Sequence, residues 1–571
     1  MTSAGPVKTA RGAFTFVLHS HLPYCRRAGR WPHGEEWLHE AATGTYLPLL
    51  IALSDLAEEG CPYHLTIGLT PVLCEQLADT LVLDHLEVYL RERLEKARED
   101  VGRLEREGDP ARAEVARFYA GHFAYLLDSF LGRFERRIVE PFRRLQDLGL
   151  IEIAAGAATH GYLPLFERDS SIHAQMAVGV QAYRRHFGRH PQSFWLPECG
   201  YRPPHVTEEG RGYLKPGLHE FLAEQGILCF FVETHAVEGG LPVGKAMGDA
   251  LGPYGDIPRR YVVPLARYPE PTLKTTYLPY WASDPRVAAI GRNNRTGLQV
   301  WSGEHGYPGD YHYREFHKRD GVSGLHYWKV TGAGVDLAAK ELYDPARARQ
   351  RALDHARHFV GLVEDLARDF HGRTGLCGIV AAAYDTELFG HWWFEGIDWL
   401  REVLRGLAAS TDVELTTASH YVREHPPEDV LSLPESSWGQ AGNHFTWLNA
   451  DTEWVWPAIG EAQRRMEALV RRFPDVEGPL AEALNQAGRE LLLLEASDWP
   501  FLITTWQARD YAENRFADHV DRFHRLAGMA ESGHIDQGLV EEYWELDKVF
   551  PDLDYRLFAD RERVGQRAST A

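Results

Sequence analysis

Eight short runs, apolar along most of their length, lie between residues 13 and 417: Ala13–His19, His64–Thr70, Ile151–Ala158, Ser193–Glu198, Ile227–Glu233, Leu298–Trp301, Gly378–Tyr384 and Val413–Thr417. A strand with one wet face alternates polar and apolar residues. A run that is apolar throughout is a strand covered on both faces, as in a parallel sheet wrapped by helices. The longer segments between the runs have helical spacing. This alternation predicts an α/β chain whose strands close into a β/α barrel, with its chemistry at the strands' C-terminal ends. His19, Glu198, Glu233, Trp301 and Asp385 fall at or just past such ends.

Two stretches interrupt the alternation. Residues 83–148 are highly charged with helical spacing, which predicts an inserted helical subdomain. Residues 237–297 are rich in Pro, Gly and Tyr and read as a long loop, a length that inside a compact domain marks a lid or mobile segment. Strand-like runs stop near residue 425. Amphipathic helices follow at Glu461–Phe473, Leu480–Ala496 and Trp506–Ala527. The expected division is therefore a catalytic barrel over 1–425 and a C-terminal all-α domain over 426–571, since 571 residues are too many for one small core.

The net charge of −21 argues against nucleic acid or an anionic membrane as partner, because phosphate binding needs basic surface. A neutral polymer is compatible with it. Sixteen Trp, 25 Tyr and 28 His favour ring-shaped ligands such as carbohydrate. Met1–Arg11 has no apolar core of a signal peptide, and no uncharged run approaches the length of a membrane span. Six cysteines are scattered without a C-x-x-C pair, as expected of reduced thiols in a cytoplasmic enzyme.

The densest functional signal is Ala383-Tyr-Asp-Thr-Glu-Leu-Phe-Gly-His-Trp-Trp393, which sets Asp385 and Glu387 beside His391 and two indoles. A carboxyl supplies acid/base or nucleophilic chemistry, and flat aromatic faces hold the apolar faces of pyranose rings. A second carboxylate, Glu198, sits on a Pro/Gly-framed turn in Phe194-Trp-Leu-Pro-Glu-Cys-Gly-Tyr201. Both end barrel strands, so both can converge on the mouth. A separation of about 5–5.5 Å would make a retaining glycosidase pair and about 6.5–9.5 Å an inverting one. His19 and His21 share one face of the first strand, and His160 follows the strand Ile151–Ala158. They could donate hydrogen bonds to sugar hydroxyls, or bind a metal given a third ligand. Trp301, Trp438 and Trp447 are candidate platforms for further sugar units. Asp498 and Gln507 could reach a sugar only if the helical domain closes on the barrel mouth.

These motifs together resemble glycoside hydrolase family 57, and in particular its α-glucan branching members. Five regions match in order across nearly the whole chain: His19–Pro23, Ile151–Pro164, Trp195–Tyr201, Ala383–Trp393 and Ser497–Pro500. The resemblance implies a distorted (β/α)7 barrel with a helical insertion and a C-terminal helical domain completing the cleft. One of the eight strand candidates then lies outside the barrel. It implies a retaining reaction with no metal or other cofactor, Glu198 as nucleophile and Asp385 as general acid/base. It also implies that Arg295, Trp301, Trp438, Asp498 and Gln507 contact α-glucan, with Trp447 close by. Branching members carry a mobile loop with a tyrosine near its tip, at the level of Gly239–Pro253. This chain has Lys245-Ala-Met-Gly-Asp249 there, with Tyr254 beside it. The departure bears on the ratio of transfer to hydrolysis and leaves the catalytic pair untouched. The implied activity is 1,4-α-glucan branching. Its rivals are an α-amylase on the same scaffold, a metal-dependent polysaccharide deacylase, and a glucan-binding protein without activity.

Overall fold

The computed structural model describes residues 10–206, 214–240, 251–252, 255–256, 270–283, 286–301, 306–332 and 334–561. Seven parallel strands form one curled sheet: β1 (Gly12–Ser20), β2 (Leu65–Leu69), β3 (Ile151–Gly156), β4 (Ser193–Trp195), β5 (Cys229–Val232), β6 (Ala288–Gly291) and β7 (Gly378–Asp385). Their spatial order is β6-β5-β4-β3-β2-β1-β7. This is a distorted (β/α)7 barrel with an open seam between β6 and β7, which a backbone bond from Asn293 N–H to Ala381 C=O (2.9 Å) crosses. A further strand, β8 (Val413–Leu415), pairs with β1 only over Gly12–Phe14, whereas β2 takes Val17–Ser20. It is one expected strand that forms but lies outside the seven.

Every residue of β1, β2 and β3 is buried, as all-apolar strands between sheet and helices must be. Leu298–Trp301 departs from the expectation. It is the end of a helix, α3 (Asn294–Trp301), started by Asn293, whose side chain accepts the Thr296 N–H at 3.0 Å. A short apolar run does not by itself distinguish strand from buried helix, and the capping Asn decides here. The strand that replaces it, β6, is Ala-Ala-Ile-Gly inside the stretch read as a long loop. Its small residues carry almost no β propensity, and tertiary pairing with β5 makes it a strand. Of the segment at Gly239–Pro253, residues 241–250 and 253, Lys245–Asp249 among them, lie outside the described residues, as does Tyr254.

The charged stretch is a helical hairpin, α1 (Thr80–Arg106) and α2 (Pro110–Asp128). Asp79 and Asp109 cap the two helices, each accepting from a first-turn N–H. The hairpin docks on the loop 307–330 through Tyr327 Oη to Asp100 (2.6 Å) and Tyr119 Oη to the His326 carbonyl (2.6 Å).

Beyond β8 a short helix (Ala418–Glu424) and loops lead into five helices, α4 (Val455–Arg472), α5 (Pro479–Leu494), α6 (Asp498–Thr505), α7 (Arg509–Ser532) and α8 (Gln537–Leu546). They share a second hydrophobic core, which includes Leu491–Leu494, Trp499, Phe516 and Phe523 and takes in Val72, Ala158 and Val178 from the barrel side. Among the described residues no helix is long and apolar enough to cross a membrane.

Candidate active site

The C-terminal ends of β1, β3, β4 and β7 open onto one cleft. Glu198 stands just past β4 on a tight turn, in the left-handed region at φ 62° and ψ 25°, and the next residue, Cys199, has φ 48°. Non-glycine residues there cost about 1–3 kcal/mol each, so the surroundings must hold the turn in place. They do so through three backbone bonds. The Trp438 N–H donates to the Glu198 carbonyl (2.9 Å), and Tyr201 exchanges bonds with Ser436. The strained turn aims the Glu198 carboxyl into the cleft.

Two donors meet that carboxyl. Trp438 Nε1 donates to Oε2 at 2.5 Å, and Ser497 Oγ approaches Oε1 at 3.5 Å. Behind Ser497 lies a chain of rings: His160 Nδ1 is 2.8 Å from Ser497 Oγ, and His19 Nε2 is 3.0 Å from His160 Nε2. If Ser497 gives its single proton to Glu198, then His160 must donate from Nδ1 and His19 from Nε2. All the protons of the chain then point toward Glu198. Burial, helped by the neighbouring imidazoles, holds His19 and His160 well below the usual histidine range, so both are neutral donors. His160 also has positive φ (59°), and its carbonyl accepts the Ser497 N–H at 3.1 Å.

Asp385 ends β7 directly beside His19 of β1 in the sheet register. Among the described residues its carboxyl accepts no hydrogen bond from a side chain. Burial raises it to about 6, against the charges of Arg292 and His21. Burial likewise raises Glu198 to about 7; the Trp438 bond opposes this, and the Asp385 charge adds to it. Glu198 therefore senses the Asp385 charge across the cleft. Glu387 is raised further, to about 8, by burial and by Asp385. Its Oε1 accepts from Tyr46 and from the His21 N–H (3.1 Å), so it braces the β1 end from behind.

His21 is held by Thr70 (Nδ1, 3.1 Å) and Asp498 (Nε2 to Oδ1, 3.0 Å), and its ring stacks on His160 with centroids 3.9 Å apart. Trp195 stacks on His19 at 4.7 Å and meets Trp438 edge-on at 4.9 Å. The structure thus brings together Glu198, Asp385, His19, His21, His160, Trp438 and Asp498. Trp447 lies behind this wall, fully buried and stacked on Tyr162 at 4.1 Å. Trp301 is partly buried against the main core. Arg295 is exposed on α3 and bonds Gln299 (3.1 Å), while Gln507 is exposed beyond α6.

Sequence reasoning passed over two contributors. Arg292, three residues before Arg295, is the buried cation of the cleft. Glu233 anchors it at 3.0 Å, and its guanidinium lies 5.8 Å from the Trp438 ring centroid. It directly follows β6, so recognising that strand would have drawn attention to it. Ser497 immediately precedes Asp498, in a motif singled out for its neighbours.

A metal would need three convergent ligands. Among the described residues, the group whose ligand atoms lie within 4.8 Å of one another is Glu490, His519 and Asp547, in the C-terminal helices. Arg522 and Arg515 already attend it: Arg522 pairs with Asp547, and Arg515 Nη2 lies 3.0 Å from His519 Nε2. Two cations make it a buried charge network poorly suited to a third.

The sequence profile of glycosyl hydrolase family 57 matches residues 15–434, and that of the 1,4-alpha-glucan branching enzyme C-terminal region matches 458–558. A 1,4-alpha-glucan branching enzyme of Thermococcus kodakarensis, TK1436, is 43% identical over 547 residues, covering 95% of this chain and 77% of that protein. The crystal structure of TK1436 with glucose superposes with a TM-score of 0.87 at 42% identity, over 96% of this chain and 97% of the other. The alpha-amylase AmyC of Thermotoga maritima is also similar, with a TM-score of 0.80 at 31% identity over 96% and 99% of the two chains. Profile, sequence and three-dimensional likeness agree over almost the full length: the chain belongs to glycosyl hydrolase family 57.

Proposed function

We propose that the chain is a retaining 1,4-α-glucan branching enzyme, with Glu198 as nucleophile and Asp385 as general acid/base. The observation that carries the role assignment is the contrast in hydrogen bonding. Glu198 accepts from Trp438 and Ser497, which favours its ionised, oriented form, while among the described residues the Asp385 carboxyl has no side-chain donor. The pKa order alone would put the proton on Glu198, at about 7 against about 6 for Asp385. That order already includes the Trp438 bond, so the assignment rests on the fixed orientation the donors give the Glu198 carboxyl and not on the pKa values. Burial is the largest cause at both groups and changes when a sugar enters, whereas the donors to Glu198 are fixed in place.

In this reading protonated Asp385 gives its proton to the glycosidic oxygen as Glu198 attacks the anomeric carbon. The leaving chain departs with a new hydroxyl, and a β-glucosyl ester forms on Glu198. Asp385, now ionised, takes the proton of an acceptor 6-hydroxyl, whose oxygen displaces Glu198 and restores the α configuration. Water in place of the 6-hydroxyl gives hydrolysis, so the outcome depends on how well the acceptor is positioned and water excluded.

The same reading makes 1–425 the catalytic barrel and 426–571 the domain that completes its cleft, since Trp438, Ser497 and Asp498 all come from the latter. Six free cysteines suit a reducing compartment, with glycogen-type glucan as product. Likeness to an α-amylase favours hydrolysis as the second reading. Iodine staining of amylose separates them. Branching lowers the absorbance with few new reducing ends, and reducing sugar rising in proportion would mean hydrolysis. Glu198→Gln is expected to abolish both while glucan binding persists.

A further inference from the structure

A cavity of about 430 Å³ lies at the opposite end of the barrel from the carboxylates. Its lining comes from residues just before three strands: His64 before β2, Gln146 and Gly149 before β3, and Gln192 before β4. β8 and the following short helix, Ala418–Glu424, form its other side. This is the barrel floor, where side chains usually serve stability.

Its polar groups are more than the fold requires. Gln146 is 5% exposed, and its Oε1 accepts both the Ile153 N–H and the Tyr183 hydroxyl, each at 2.9 Å. Those two bonds fix the amide's orientation, and they leave its NH2 group, buried at the cavity wall, with no partner among the described residues. A buried unpaired donor costs about 1–3 kcal/mol, a cost that a ligand acceptor would remove. Glu414 and His420, exposed on the cavity rim, likewise form no hydrogen bond or ion pair among the described residues. Arg423 is turned to Gln192 and Ser419 and pairs with no carboxylate among them.

The charges of the lining balance, with Arg189 and Arg423 set against Glu152 and Glu414. Arg189 is further neutralised by Asp147. With Arg189 paired to Asp147 the lining is at most one negative charge from neutral, and a pocket with free donors and acceptors and so little net charge favours a neutral, polyhydroxylated ligand over a multiply charged ion. Its volume falls within the range of small-molecule sites, enough for a short oligosaccharide. We infer that the barrel floor is a second carbohydrate site, taking a short α-glucan segment against Gln146, Glu414 and His420. The identity of that sugar rests on the proposed α-glucan activity. A large branched glucan held at both cleft and floor gains from effective concentration, while a short substrate occupies one site at a time.

Glu414→Ala and His420→Ala, singly and combined, alter exposed side chains and leave the fold's own bonds intact. In native gels containing amylopectin, the double variant is expected to lose retention about threefold or more. Its KM for amylopectin should rise while kcat on maltoheptaose stays unchanged. Unchanged retention would overturn the floor site, as would an equal loss of activity on maltoheptaose, which would mean that the floor acts through the cleft. Crystals soaked in maltotriose give a reading independent of activity. Density against Gln146 supports the site, and density confined to the cleft refutes it. If the wild-type protein neither cleaves nor is retained by any α-glucan, the activity proposal itself fails, a result distinct from either.

Discussion

Glu198 and Asp385 are two carboxyls whose burial leaves them with one proton to share near neutrality. Below about 6 both are protonated and no nucleophile is ionised; above about 7 both are ionised and no acid remains. The expected kcat/KM profile is a narrow bell between those values, which belong to the pair and not to either residue alone. A flat profile from pH 5 to 9 would contradict the shared proton. Trp438→Phe keeps the ring and removes the donor at 2.5 Å from Glu198. A hydrogen bond to a charged group is worth about 1.5–3 kcal/mol, so kcat/KM should fall roughly 10- to 150-fold. Because that donor favours ionised Glu198, its loss should also move the bell to higher pH. A merely structural Trp438 would lower activity without moving the profile.

At the scale of elements, β3 and α6 meet through a short splice. Gly161 bridges Ala496, and the Ser497 N–H reaches the His160 carbonyl. Tyr162, next in line, carries Trp447 on its face. Trp447→Ala should therefore cost about 3–5 kcal/mol of stability, seen as a lower Tm, as for any large buried aromatic. A platform for sugar would weaken glucan binding at constant Tm. The sequence's legibility divides at the same level. β1, β2, β3, β4 and β7 could be read because apolar runs have few alternatives, and the residues at their ends led to Glu198, Asp385 and the three histidines. β6 could not, because Ala-Ala-Ile-Gly becomes a strand only by pairing with β5, and with it went Arg292. Trp438 and Trp447 looked alike as residues. Only packing separates a ring that bonds the carboxylate from one that stacks behind it.

For the whole molecule, burial of titratable groups sets the pH of greatest stability. Among the described residues nine imidazoles are held well below their free value of 6.5, five of them at about 4. Their stability is fully present above 6.5 and is lost as pH falls, because the unfolded chain takes up the protons first. Six carboxyls are shifted the opposite way, among them Glu387 at about 8 and Glu395 and Glu495 at about 7. Their contribution is present at acid pH and is lost as pH rises through those values. The histidines outnumber the carboxyls below 6.5 and stop titrating above it. Tm should therefore peak near pH 6.5 and decline on both sides, and a Tm still rising from pH 6.5 to 8 would refute this balance.

The splice between β3 and α6 also has a consequence in time. Protein chains are made from the N-terminus, so both carboxyls are synthesised well before Ser497 and Asp498. A growing chain can assemble its barrel on the ribosome and still lack the serine that orients Glu198 and the aspartate that holds His21. Competence waits for the segment that carries these two residues. A product cut short before residue 497 lacks both groups and is expected to be inactive on amylose, so that unfinished chains would leave glucan uncut.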